Sequence, residues 1–169
     1  MRGGATGRTA RTARQAEGLR GEVVLVCGPP AAGKTTWVRK HARPGDLVID
    51  FDEICRQLGS RSRYDHPPQV RAMAKVIRPE LERMAAEAPG RAFIIRSLPD
   101  PQDRAAVARR LGARVVVLAT PVEEAIKRAR ADHRPAWTER AIQSWWDRYA
   151  PSQVDEASEE VFSGGGLQG

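Results

Sequence analysis

The sequence predicts an α/β fold in three layers, with a parallel sheet of four or five strands at its centre. Three observations lead there. Short apolar runs recur along the chain, segments of helical period lie between them, and Gly or Pro punctuates the junctions. The runs cover residues 22–27, 47–51, 92–95 and 114–118. They are continuous rather than alternating, the mark of strands buried on both faces, as parallel strands are.

The segments between them read as helices. Residues 33–41 follow the first run and stop at Pro44-Gly45. Residues 52–58 follow the second and stop at Gly59. Residues 68–88 form a long amphipathic stretch with Val70, Met73, Ile77, Leu81, Met84 and Ala88 on one face. Pro79 is expected to kink it or split it. Residues 101–111 follow the third run, with Gly112 as the C-terminal stop, and residues 122–131 follow the fourth. A last helix covers 138–149, with Thr138 suited to its N-cap and Pro151 just beyond its end.

The 169 residues bound the chain to about one domain. Residues 1–20 hold five Arg and one Glu with no apolar period, and are expected to be a disordered basic arm. Residues 151–169 hold four acids, no base and Gly164-Gly165-Gly166, and are expected to be a flexible acidic tail. The domain between them, 21–150, carries a net +7, which points to an anionic substrate or nucleic acid. Twenty-four of the 28 bases are Arg, a bias that a GC-rich coding sequence also produces. No run of about 18 apolar residues is present, so no membrane span and no membrane partner is expected. No secretory signal is expected either. Two cysteines, Cys27 and Cys55, form neither a disulfide framework nor a metal set, and fit a reducing, cytoplasmic setting.

Residues 28–35, Gly-Pro-Pro-Ala-Ala-Gly-Lys-Thr, match the P-loop pattern GxxxxGK[ST]. The chemistry asks for these types at these places. A backbone that wraps a polyphosphate with its N–H groups needs Gly28 and Gly33 for close approach and unusual torsions. The helix that follows points its N-terminus at the phosphates. Lys34 reaches the β- and γ-phosphates and the Thr35 hydroxyl coordinates Mg2+. A strand runs into the motif and a helix runs out of it, so the fold expected is a three-layer P-loop one. Gly28, Ala31, Ala32, Gly33, Lys34, Thr35 and Thr36 are the residues expected to hold ATP. No Asn-Lys-x-Asp segment is present to read guanine, and large ring ATPases need a longer chain; a small phosphotransferase remains.

Asp50 and Asp52 close the second run, at the sheet edge where doubly wound folds bind ligands. Their i, i+2 spacing puts both on one face of an extended segment. A kinase needs a carboxylate that orients the acceptor hydroxyl and takes its proton. Asp52 is placed for that, or else it caps the next helix. Asp50 is the candidate supporting group near Mg2+. Arg56, one turn after Asp52, either binds a substrate phosphate or pairs with Asp52.

Residues 28–36, Asp52 and Arg56 beyond the second strand, and a late Arg-rich helix resemble the polynucleotide-kinase-like branch of small P-loop kinases, often described as AAA-type ATPases. The resemblance covers about residues 21–150. Related kinases act on gluconate, adenylylsulfate, chloramphenicol or nucleotide-sugars. It implies ATP- and Mg2+-dependent phosphoryl transfer to a hydroxyl, on a polynucleotide 5′ end or a nucleotide-like substrate. Alternatives are an acceptor-free nucleotide switch and a small-molecule kinase. Many relatives end the third strand with an acidic residue near Mg2+; here it ends Ile95-Arg96-Ser97. That leaves Mg2+ to Thr35, water and Asp50 or Asp52. Arg96 either brings positive charge to a phosphate-bearing substrate or pairs with one of the aspartates. The resemblance also implies a lid after the fourth strand, whose arginines cover the transferring phosphoryl group. Arg128 and Arg134 are the candidates, with Arg130 facing solvent and Asp132-His133 helping the lid to close. Trp37, Tyr149 and one of Trp145 and Trp146 read as packing residues, and His66 as an ordinary loop residue.

Overall fold

The computed structural model describes residues 21–157. The basic arm expected at 1–20 and the last part of the acidic tail, 158–169, lie outside them. In chain order the elements are β1 (Val23–Cys27), α1 (Lys34–His41), β2 (Leu47–Ile49), α2 (Phe51–Gln57), α3 (Pro68–Glu87), β3 (Ala92–Ile95), α4 (Pro101–Leu111), β4 (Ala113–Val117), α5 (Val122–Ala131), α6 (Trp137–Arg148) and β5 (Asp155–Ala157). The strands form one sheet in the order β2-β3-β1-β4-β5, and every pairing is parallel.

β1 is central and wholly buried, which is what its unbroken apolar run demands. Its side chains alternate between two cores. Val23, Leu25 and Cys27 pack with Leu111, Val115 and Trp145 on one face. Val24 and Val26 pack with Trp37, Val38 and Phe93 on the other. Helices therefore cover both faces, and the loop after Cys27 opens at the carboxyl edge of the sheet. α4 is closed at both ends by its own sequence. Asp100 caps it by accepting from the N–H of Gln102 at 2.7 Å, and Gly112 ends it in a left-handed conformation at φ 62°.

Several expectations are corrected. The second run is an edge strand, with Leu47 and Val48 exposed, and it ends at Ile49. Phe51 already starts α2, so Asp50 and Asp52 do not share one extended segment. α3 runs unbroken through Pro79. Proline removes the hydrogen bond to the carbonyl of Lys75, and that residue lies on the exposed side of the helix rather than the buried one. The buried stripe of α3 is also rotated from the expected one. Val70, Ala74, Ile77 and Leu81 pack on Ile54 and Cys55, whereas Met73 and Met84 are 52% and 54% exposed. Thr138 is not a cap. The N–H of Thr138 already bonds the Pro135 carbonyl at 2.9 Å, so the turn starts upstream and leaves Thr138 buried inside α6.

The fifth strand comes from the segment expected to be a tail. It is acidic, and it forms because its charges are matched one by one. Asp155 receives two hydrogen bonds from the buried Arg104, at 2.9 and 2.7 Å. Glu156 receives two from Arg114 on β4, at 3.1 and 2.7 Å. Among the described residues, no helix is long and apolar enough to cross a membrane.

Candidate active site

The loop between β1 and α1 is shaped by what passes beside it. Gly28 donates its N–H to the carbonyl of Ser97, just past β3, at 3.4 Å. A Cβ on Gly28 would lie 2.6 Å from the carbonyl oxygen of Leu118, just past β4. The chain thus threads between the ends of both neighbouring strands, where only glycine fits. Ala31 at φ 58° and Gly33 at φ 91° curl the backbone in the left-handed region. Gly33 is the N-cap of α1 and carries no capping side chain, so the first amides of that helix stay open to an anion. Thr35 and Thr36 sit in its first turn.

Lys34 folds back over the loop and donates to the carbonyls of Gly28 at 2.8 Å and Pro29 at 2.6 Å. Burial lowers its ammonium from 10.5 to about 8. The charge of Arg134 adds to that lowering, and Asp50 and Asp52 oppose it. The structure therefore brings Lys34, Asp50, Asp52 and Arg134 into one electrostatic neighbourhood, although they come from three separate parts of the chain. The cradle fits a polyphosphate, since it combines curled backbone, an uncapped helix start and a desolvated lysine. Thr35 and Asp50 offer hard oxygen donors of the kind Mg2+ takes alongside phosphate oxygens. Among the described residues, no three His, Cys, Asp or Glu gather as a metal cage.

The two aspartates divide their tasks. Asp50, not Asp52, caps α2, accepting from the N–H of Asp52 at 3.2 Å. Burial, and then the like charge of Asp52, push its carboxyl above the usual range. Asp52 is left free of capping, and its Oδ1 meets Nε2 of His66 at 2.9 Å. Arg56 does not pair with Asp52; it is exposed and ion-paired to Glu53 on its own helix.

The late arginines also divide. Arg128 donates from Nη1 to the carbonyl of Ala32 at 3.1 Å and from Nε to Glu124 at 2.9 Å, so it leans on the loop. Arg134 stacks on the Tyr64 ring, 4.1 Å from its centre, and Tyr64 donates its hydroxyl to Asp132 at 3.1 Å. Arg130 turns away to Glu139 at 2.7 Å. Arg96 pairs with neither aspartate. It faces the wholly buried Glu82, as a charge contact at 2.8 Å without hydrogen-bond alignment and a hydrogen bond at 3.3 Å. Arg110, at 3.2 Å, and Arg78, at 3.8 Å, approach the same carboxylate. A buried carboxylate needs such partners, and this one takes the guanidinium expected at the substrate.

A cavity of about 520 Å3 adjoins the loop, lined among others by Ala32, Leu118, Thr120, Tyr149, Ser152 and Glu156. Thr120 donates its hydroxyl to the carbonyl of Ala32 at 3.0 Å. Trp146 donates to the carbonyl of Thr120 at 3.2 Å, and Trp145 to that of Ser97 at 2.8 Å. These aromatics are packing residues that also brace the loop's neighbours. Trp37 packs too, stacked on His41. Sequence reasoning missed Ser60, Tyr64, His66 and Thr120. No spacing signal marks them, because their partners lie 6 to 88 residues away.

A parallel sheet whose central strand opens into a glycine-flanked Lys-Thr loop, with carboxylates after the next strand and an arginine, Arg128, leaning on it, is a P-loop nucleotide-binding fold of the kinase type. The chain belongs to a family described as an AAA domain (AAA_33), whose profile matches residues 23–152. No curated protein sequence matches it significantly. The fold is similar to that of the Deinococcus radiodurans tunicamycin resistance protein, at TM-score 0.56 and 19% identity, over 88% of this chain and 98% of that one. It is similar to a gluconokinase from Sinorhizobium meliloti 1021, at TM-score 0.55 and 16% identity, over 82% of each chain. It is also similar to a chain of the Pnkp1/Rnl/Hen1 RNA repair complex, at TM-score 0.56 and 14% identity, over 82% of this chain and 50% of that one.

Proposed function

We propose that the protein is an ATP- and Mg2+-dependent phosphotransferase acting on a hydroxyl acceptor, a polynucleotide 5′ end or a nucleotide-like molecule. One observation carries this reading: a carboxylate, Asp52, is fixed through one oxygen and stands within electrostatic reach of Lys34 at the phosphate loop. Lys34 and the loop amides hold the β- and γ-phosphates. Asp52 takes the proton of the acceptor hydroxyl as that oxygen bonds to the γ-phosphorus. The bond from this phosphorus to the bridging oxygen breaks, and ADP leaves. Arg128 and Arg134 spread the charge that develops on the transferring group. Thr35 and Asp50 would hold Mg2+, which when bound would neutralise charge on the phosphates. The +7 of residues 21–150 supports an anionic acceptor, as does the likeness to a chain of an RNA repair complex. The free cysteines, both buried, fit a cytoplasmic setting.

The test is transfer of labelled γ-phosphate from ATP to 5′-hydroxyl DNA, 5′-hydroxyl RNA, nucleosides and a small-metabolite pool. The expected result is label on oligonucleotide ends, reduced about 10^2- to 10^4-fold by Asp52→Ala. Label on a small molecule alone keeps the phosphotransferase and discards the nucleic-acid acceptor. ATP bound tightly with no label anywhere overturns the reading in favour of an acceptor-free switch or ATPase.

A further inference from the structure

Three groups stand in a row behind the sheet edge: Ser60, His66 and Asp52. Ser60 Oγ lies 2.7 Å from His66 Nδ1, and His66 Nε2 lies 2.9 Å from Asp52 Oδ1. The side chain of His66 is 2% exposed, whereas that of Asp52 is 40% exposed. The order resembles a hydrolytic triad, but the burial runs the other way. In a triad the serine meets substrate, whereas here Ser60 is buried and the open end is the carboxylate.

The hydrogen bonding fixes one direction. An ionised Asp52 only accepts, so Nε2 of His66 carries the hydrogen and donates to Oδ1. In the neutral imidazole Nδ1 is then the acceptor, and Ser60 Oγ donates to it. The carbonyl of Ser62, at 3.4 Å, is the longer alternative for that hydroxyl. Ser60 is itself fixed, since its N–H donates to the Cys55 carbonyl of α2 at 3.0 Å. The imidazole has both nitrogens tied and no freedom to turn. Among the described residues, no protein hydrogen bond engages Oδ2 of Asp52, and the side chain is 40% exposed, so this oxygen is left for an acceptor.

We propose that His66, locked by Ser60, is the positioning residue for Asp52. It binds one carboxylate oxygen so that the other is presented to the acceptor hydroxyl at a fixed angle. This rests on the phosphotransferase reading above. It explains why α2 is capped by Asp50: the cap releases Asp52 to a partner outside its own helix. It also gives the loop between α2 and α3 a task beyond connection.

The experiment is steady-state transfer to the labelled acceptor with wild type, His66→Ala, His66→Gln, Ser60→Ala, Asp52→Asn and the Asp52→Asn/His66→Ala double variant. Thermal melting checks each fold. A 1 Å misplacement of a reacting group costs about 10^2-fold. His66→Ala is therefore expected to lower kcat about 100-fold with KM for ATP unchanged. His66→Gln, which restores a donor near the Nε2 position, is expected to recover much of that loss. The double variant is expected to be no slower than Asp52→Asn alone. A folded His66→Ala with full kcat, or a double variant slower by the full single-variant factor, overturns the proposal. If His66→Ala does not fold, Ser60→Ala decides: a lowered kcat with KM for ATP unchanged supports the proposal, and an unchanged kcat overturns it. The 15N shift of His66 Nε2 in wild type and Asp52→Asn separates the two readings. Unmoved resonances overturn the contact itself. Moved resonances, with no transfer to any acceptor, leave the contact standing and overturn the phosphotransferase reading instead.

Discussion

Arg104→Ala is expected to destabilise the fold by about 4 kcal/mol, as loss of one partner from a buried ion pair does. For a chain of this size that is a fall in Tm of about 10 °C. The side chain is wholly buried, yet its charge is fully partnered. It reaches both oxygens of Asp155 and the carbonyls of Leu98, Pro99 and Ala150. One guanidinium thus ties the turn after β3, the end of α6 and the strand β5. Removing it strands a carboxylate and three carbonyls around a cavity. Thermal melting of Arg104→Ala and Arg104→Lys measures this. Lysine keeps the charge but not the planar fork, so it should recover only part of the loss. A melting curve for Arg104→Ala that overlays the wild type would show that β5 is held by something else.

Lys34 should give the second large effect. Lys34→Ala is expected to cut turnover about 10^2- to 10^3-fold, the size of losing one fixed donor to developing charge. A pH signature accompanies it. Burial holds the folded ammonium at about 8 against 10.5 when exposed. The charged form therefore costs the empty protein stability below pH 8, and that cost disappears as pH rises from 8 to 10.5. Bound phosphates favour the ammonium and reverse the shift. Calorimetry in two buffers of different ionisation enthalpy should show ATP binding with proton uptake at pH 9, little at pH 7, and none at either pH in Lys34→Ala. Binding at pH 9 without uptake by the wild type would contradict the burial of Lys34.

Much of the architecture was legible because it follows from local pattern. β1 and β3 are unbroken apolar runs, β4 is one beyond Arg114, and α4 announces itself with Asp100, Pro101 and Gly112. The phosphate loop was legible because its chemistry restricts residue types at fixed spacing. What escaped depends on contacts far apart in the chain. β5 has no apolar run, and arginines 42 and 51 residues away specify it. The stripe of α3 was misphased because two methionines lie at helical spacing on its exposed side. Arg56 and Arg96 were candidates for a substrate because nothing local shows that Glu53 and Glu82 occupy them. His66 reads as a loop residue because a lone histidine between Asp65 and Pro67 carries no pattern. Its meaning comes from Asp52, 14 residues back, and from the burial of its ring.

The aromatic cluster on α6 makes the molecule its own optical probe. The Trp145 and Trp146 rings lie 5.3 Å apart, and Trp145 stacks on Tyr149 at 4.6 Å. The Trp146 indole is hydrogen-bonded to Thr120, whose hydroxyl holds the carbonyl of Ala32. Two hydrogen bonds therefore separate a fluorophore from the phosphate loop. A nucleotide bound at the loop amides beside that carbonyl alters the polarity around the indole, so occupancy should register as a change in ultraviolet emission, with no dye attached. Trp137, 45% exposed, contributes a solvent-relaxed background. Trp146→Phe should remove most of the ligand-dependent signal and leave that background in place.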